Sequence, residues 1–223
     1  VSDGVSDGVS DGVSDGVSDG VSDAYRDVVP EELAPSPEAA PLRVAYQGEP
    51  GAYSDLAARQ HFGATVESVP HRTFPDVLRA VVEGRCDLAL VPVENAIAGP
   101  VRVALDALAG VGEALVPVGE YRLPIELCLL GVPGAMLATV RTVRSHPVAF
   151  SQCRIFLARH PWLDARGHDD TAGAAREVAE EGDRTVGAIA SVMAAERYGL
   201  EVLARGVQDV PQNWTRFTIL RKA

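Results

Sequence analysis

Three short polar stretches each follow an apolar run, and these are the places where the chain offers residues that can do chemistry. Glu94-Asn95 follows the nearly continuous apolar run 87–93, Ser145-His146-Pro147 follows 139–144, and Gly48-Glu49-Pro50-Gly51-Ala52-Tyr53-Ser54 follows 42–47. In open α/β sheets ligands bind beyond the carboxyl ends of the strands, so residues in these positions face the crevice. The last two stretches run into predicted helix starts, whose free N–H groups and positive dipole end favour an anion such as a carboxylate. Ser145 fits an N-cap with Pro147 in the first turn. Gln152 lies seven residues beyond Ser145, on about the same helical face and roughly 10 Å along the axis, so both are expected to point into one cleft. Each residue also has a plainer role. Ser145 serves as a cap, Asn95 closes a turn, Glu94 pairs with an arginine, and Gly48-x-x-Gly51 turns a strand into a helix. His61, His71, His160 and His168 show no metal-ligand spacing. Taken alone, these residues define a crevice for a small anionic ligand and no reaction.

The elements that must position them alternate strand and helix. Strands are predicted at 42–47, 65–69, 87–93, 139–144, 185–190, 201–204 and 215–220. Helices are predicted from Ser54 to Phe62, from Thr73 to Glu83, over 101–108, from Ser145 to about Ala158, over 171–181 capped by Asp169 or Asp170, and over 191–198. An extended stretch over 114–130 is suited to carry the chain from one lobe to another. This alternation predicts an α/β fold with largely parallel pairing.

Ahead of the folded body, residues 1–20 repeat Val-Ser-Asp-Gly five times, and 28–41 carry Pro30, Pro35, Pro37 and Pro41. One small apolar residue in four cannot offset the ordering of backbone, at about 1–2 kcal/mol per residue, so 1–41 is expected to be a disordered tail and linker. The net charge of −11 is concentrated there: 1–41 hold ten of the 31 acids and one of the 20 bases, which leaves the remainder near −2. A chain so balanced lacks the basic face that nucleic acid requires. No apolar run approaches the roughly 20 residues of a membrane span, and no export signal stands at the N-terminus. Cys86, Cys128 and Cys153 are odd in number and far apart, as reduced core thiols are, so a cytoplasmic location is expected and neither a disulfide frame nor a metal site.

Together the segments resemble the catalytic domain of prephenate dehydratase, over about 44–220. The resemblance is carried, in order, by Gly48-Glu49-Pro50-Gly51-Ala52-Tyr53-Ser54, Val91-Pro92-Val93-Glu94-Asn95, Gly119-Glu120 with Leu123-Pro124-Ile125, Ser145-His146-Pro147 with Gln152-Cys153, Thr171-Ala172, Tyr198-Gly199-Leu200, and Asn213-Trp214-Thr215-Arg216-Phe217. It implies two α/β lobes like those of type II periplasmic binding proteins, 42–118 with 204–223 and 119–203, and an active site in the interlobe cleft. The implied reaction removes carbon dioxide and water from prephenate without metal or organic cofactor. Thr215 is implied as the donor to the departing ring hydroxyl, with Glu94, Asn95 and Gln152 as catalytic partners. Ser145, Arg216, Phe217, Gly51, Ala52, Tyr53, Ser54 and Thr171 are implied as substrate contacts; Arg216 also suits an ion pair, and packing is the commoner role for Phe217. Ala52, Ala96, Val148 and Asp170 depart from the polar residues usual in the family. They keep open arogenate, a prephenate analogue or a non-catalytic anion-binding module as alternatives. A homodimer and the absence of the regulatory ACT domain, hence of phenylalanine feedback through this chain, are also expected.

Overall fold

In a computed structural model that describes residues 40–223, the alternation of strands and helices resolves into two sheets, one in each of two lobes. The repeat and most of the linker expected over 1–41 lie outside the described residues. The strands are β1 (Arg43–Gln47), β2 (Glu67–His71), β3 (Leu88–Asn95), β4 (Gly99–Pro100), β5 (Leu115–Pro124), β6 (Cys128–Gly131), β7 (Thr142–Ser145), β8 (Asp164–Gly167), β9 (Val186–Ala190), β10 (Glu201–Ala204) and β11 (Trp214–Lys222). The first sheet runs β2-β1-β3-β11-β5, with the two-residue β4 against the end of β3; the second runs β10-β6-β9-β7-β8.

Pairing is mixed rather than largely parallel. β1 pairs in parallel with β2 and β3, and β7 with β8 and β9. β11 lies antiparallel to both β3 and β5, and β6 antiparallel to both β9 and β10. The cause is the path of the chain: it crosses between lobes twice, and the strand entered after each crossing, β6 and then β11, runs in the reverse sense. The crossing point also moves. The whole of β5 pairs with β11, so the chain leaves the first sheet after Pro124 and not near residue 118, and β10 pairs with β6 before the return. Ile125 N–H donates to Asn213 O at 2.9 Å, which sets the two crossings side by side.

The helices are α1 (Tyr53–Phe62), α2 (Phe74–Val82), α3 (Arg102–Val111), α4 (Pro147–Ser151), α5 (Arg154–Arg159), α6 (Thr171–Glu181) and α7 (Val192–Tyr198). Thr73 caps α2, taking Asp76 N–H at 3.3 Å and donating its hydroxyl to the Asp76 carboxylate at 2.6 Å. That hydrogen bond is the main cause holding the Asp76 carboxyl below its ordinary range. Asp170, the second of the two predicted caps, takes Gly173 N–H at 2.6 Å at the start of α6. Two expected caps are otherwise occupied. Ser54 lies buried inside the first turn of α1, whose N-cap is Ala52. Ser145 ends β7, and His146 caps α4 through Nδ1, which accepts from Val148 N–H at 3.1 Å. The single helix expected to reach Ala158 breaks at Gln152-Cys153, because the Asp209 carboxylate caps a new start by accepting from Arg154 N–H (3.1 Å) and Ile155 N–H (2.8 Å).

One apolar core runs through both lobes. It joins Leu90, Leu123 and Phe217 of the first sheet to Leu129, Val143 and Ile189 of the second, with Cys153 buried among them. On the far side of the first sheet, α2 buries Val77, Leu78, Ala80 and Val81 with Ala89, Val91 and Leu220. The lobes therefore meet across a dry contact, and polar side chains within it must satisfy one another.

Candidate functional site

A one-residue irregularity in the pairing of β3 with β11 builds the site. Thr215 stands opposite Asn95, Arg216 opposite Glu94, and Phe217 opposite Pro92, so Val93 has no partner on β11 and forms a bulge. Neighbours on a strand face opposite sides. Leu88 and Leu90 face the shared core with Phe217, and unbroken alternation would send Glu94 the same way. The bulge reverses this. It turns Glu94 outward with Arg216 and brings Asn95 inward beside Thr215, as bulges near functional sites do.

On the inward side lies a neutral network drawn from both lobes. Asn95 Nδ2 reaches Asn213 Oδ1 at 3.0 Å, Trp214 O at 3.0 Å and Thr215 Oγ1 at 3.1 Å. Asn95 Oδ1 accepts from the backbone N–H groups of Ile97 (3.1 Å) and Ala98 (2.9 Å), and from Gln152 Nε2 (3.2 Å). Asn213 Nδ2 donates to Gln152 Oε1 at 3.1 Å. Gln152 and Asn213 are buried, 7% and 3% exposed, while Asn95 and Thr215 are half-buried. Beside Gln152, Cys153 is fully buried; burial, helped by the nearby Asp209 charge, pushes its thiol up to about 12.

On the outward side the network is ionic. Arg216 donates through Nε (3.2 Å) and Nη2 (3.0 Å) to Glu94 Oε2, and through Nη1 to Glu120 Oε1 at 2.6 Å. Burial alone would lower the guanidinium pKa, but these bonds to two carboxylates raise it. The Arg122 guanidinium lies 4.8 Å from the centre of the Trp214 ring on the same strand pair. Arg216 is thus held by two protein carboxylates.

The remaining residues are not gathered around Thr215. Ser145 is fully buried and donates its hydroxyl to Ile189 O at 2.6 Å, within the second sheet. Phe217 packs in the core at 1% exposure. The 48–54 loop is a junction between lobes. Gly51 O accepts from Ser191 Oγ (2.9 Å), Pro50 O from Tyr198 Oη (2.5 Å), and the buried Asp55 takes Gly51 N–H (2.9 Å). Gly51 has φ +91°, and a Cβ there would stand 3.2 Å from Ala194 Cα of α7, so only glycine suits the contact. Tyr53 donates to Glu126 O at 2.7 Å, and burial drives its phenol pKa up. Ala52 precedes α1 as its N-cap without a side-chain bond.

A cleft of about 660 Å³ does open between the lobes, walled by residues 47–50, 70–72 and 168–170 with Arg176 and Glu177. Thr171 starts α6 directly beyond this wall, and Thr215, Asn95 and Gln152 do not line it. Four acids (Glu49, Asp169, Asp170 and Glu177) stand there against two arginines, Arg72 and Arg176. Arg176 is itself engaged with Glu180 at 3.0 Å and Glu49 at 3.9 Å, and His168 Nε2 lies 3.2 Å from Glu177. Among the described residues no group of three His, Cys, Asp or Glu is placed to hold a metal ion, and no helix is long and apolar enough to cross a membrane. Three contributors escaped the sequence reading: Asn213, Glu120 and Asp209. Asn213 and Glu120 stood inside the motifs above, but only their pairing partners reveal what they do.

These features coincide with a known family. The prephenate dehydratase profile matches residues 44–223, and the chain belongs to that family, whose members are lyases. It is 41% identical over 193 residues to arogenate dehydratase 1 of Petunia hybrida, covering 86% of this chain and 45% of that protein. It is 44% identical over 176 residues to a bifunctional N-acyl-homoserine lactone acylase/prephenate dehydratase of Komagataeibacter europaeus, covering 79% and 61%. The crystal structure of prephenate dehydratase from Arthrobacter aurescens in complex with L-Phe superposes with a TM-score of 0.76 at 30% identity, over 82% of this chain and 61% of that one. The chain thus spans about half the length of the curated relatives it matches.

Proposed function

We propose that this chain catalyses the decarboxylating dehydration of prephenate to phenylpyruvate. The observation that carries the reading is the Asn95 amide beside Thr215: because Nδ2 donates to Thr215 Oγ1, the hydroxyl keeps its own proton for another acceptor. In the reaction the ring-carboxylate C–C bond breaks and carbon dioxide leaves. Its electron pair moves into the ring, which becomes aromatic, and the C–O bond of the ring hydroxyl breaks. The departing oxygen gains negative charge, takes one proton in all, and leaves as water. Thr215 serves as a hydrogen-bond donor that strengthens as this charge develops, in a water-poor setting where such a bond counts most. Asn95 and Gln152 orient it. Glu94 contributes from the opposite side of the strand by holding Arg216. The cytoplasm suits a protein whose three cysteines are buried free thiols, and a homodimer is the assembly we propose.

Arogenate, which carries an ammonium where prephenate has a keto oxygen, is a second candidate substrate. The 41% identity to an arogenate dehydratase supports the same reading. Incubation with each substrate and chromatography of the product is the test. Phenylpyruvate from prephenate is expected, phenylalanine from arogenate identifies the second substrate, and no aromatic product from either leaves a binding module.

A further inference from the structure

We propose that two copies of this chain pair through the outer edge of β5, antiparallel and about a two-fold axis at Tyr121. The proposal rests on the homodimer named above and gives it a surface; it is independent of the reaction. β5 ends the first sheet. β11 takes one edge of its ten residues, and among the described residues no strand pairs with the other. The other strands that end a sheet, β2, β8 and β10, have five residues or fewer. A long unpaired edge is a template for a strand of another chain unless something blunts it.

The register with β11 decides which backbone groups point outward. Opposed residues of an antiparallel pair alternate between those that exchange N–H···O bonds and those whose N–H and C=O point away. Ile125 N–H bonds Asn213 O, so the pairs Leu123–Thr215 and Tyr121–Phe217 turn inward, and Pro124, Arg122 and Glu120 turn outward. At the other end Ala223 N–H bonds Ala114 O, and the same alternation turns Pro117 outward. Both prolines stand where an N–H would face a newcomer, and neither has one. They close the two ends of the edge. Between them lie Glu120 and Arg122, whose backbone N–H and C=O face away from β11.

Three registers set these two residues against their copies. An axis at Glu120 puts Glu120 against the partner's Glu120, and an axis at Arg122 puts Arg122 against the partner's Arg122; like charges directly opposite are unfavourable. An axis at Tyr121 puts Glu120 against the partner's Arg122 and Arg122 against the partner's Glu120, each pair exchanging both backbone bonds. Residues two apart share a face, and Arg216 stands opposite Arg122 and bonds Glu120. The row Glu94, Arg216, Glu120 already alternates in sign, and the partner's Arg122 continues it. The two-fold repeats the row in reverse on the other copy.

The test is sedimentation of the full chain and its variants, joined to amide hydrogen exchange. The unaltered chain is expected to dimerise in the micromolar range, as small interfaces do. Arg122→Glu sets acid against acid in both pairs and is expected to raise Kd about tenfold or more. Mixing it with Glu120→Arg restores opposite charges in both pairs, so mixed dimers are expected where neither variant pairs with itself. Exchange needs no variant. The Glu120 and Arg122 amides are expected to slow as protein concentration rises, while the Tyr121 amide, turned to β11, stays protected throughout. A dimer that Arg122→Glu leaves intact, variants that fail to rescue each other, or a dimer whose Glu120 and Arg122 amides still exchange fast would overturn this surface and leave the homodimer standing. Protection of those amides at every concentration would give the edge to another segment of the same chain and overturn it as well. A monomer up to about 1 mM would overturn the homodimer together with its surface.

Discussion

Thr215 and Arg216 are neighbours on one strand, and the two sides of that strand solve opposite problems. Around Thr215 every partner is neutral, and the network controls which way a proton points. Around Arg216 every partner is charged, and two carboxylates hold the one guanidinium. What each side faces explains the division. The inward side opens onto a core shared by two lobes, where an uncompensated charge would be costly, whereas solvent reaches Glu94 and Glu120, 40% and 50% exposed at the side chain. A residue type that invites a substrate carboxylate is here held by protein carboxylates, next to an uncharged hydroxyl held by amides.

The largest effect should come from Thr215→Ala. Loss of the donor is expected to lower kcat about 100-fold or more, with the thermal midpoint nearly unchanged. Activity retained in this variant would break the comparison at its neutral side. Arg216→Met tests the charged side. Glu94 and Glu120 lose their partner, and stability should fall by about 1 kcal/mol, an amount kept small by solvent and reduced further in high salt. KM for prephenate should stay within about threefold; a tenfold rise would return Arg216 to the substrate. The smallest effect is expected from pH in the neutral range, because Thr215, Asn95, Gln152 and Asn213 carry no titrating group there. Cys153 beside them has a folded pKa of about 12, above its unfolded value of about 8.5. Its stabilisation is then complete below about pH 8.5 and is lost as pH rises towards 12. Denaturant titrations should show a flat plateau from about pH 6 to 8 and a decline above pH 9 that Cys153→Ala lessens.

How much of this was legible in the sequence differs between the two sides. The alternation of strands and helices was legible from local periodicity, whereas Asn95, Gln152 and Thr215 were grouped only by the family resemblance; helical spacing had set Gln152 with Ser145, which instead bonds Ile189 O. The antiparallel entry of β6 and β11 was not, since strand direction depends on how the chain crosses between lobes. Neither was the bulge at Val93: in sequence, 87–93 reads as one unbroken apolar strand, and only pairing with β11 shows the skipped residue. Ser145 misled for a local reason, because a serine before His-Pro suits a cap as well as a strand end. The choice was made by Ile189 O, 44 positions away. Arg216 kept two readings open in sequence, and Glu120, 96 positions distant, supplies the ion pair of one of them.

The placement of β11 between β3 and β5 also bears on how the molecule forms. Asn95 and Thr215 are 120 positions apart, so the strand pair that holds the reactive hydroxyl is a contact of high sequence separation, the kind that slows folding. The second lobe is an insertion between two adjacent strands of the first. Once it has folded it holds its two ends together, at Ile125 and Asn213, and removes most of the loop entropy that β11 would otherwise have to overcome. β11 therefore completes the first sheet with the last nine-residue strand of the chain, and the side-chain pairing of Asn95 with Thr215 exists only once that strand is in place.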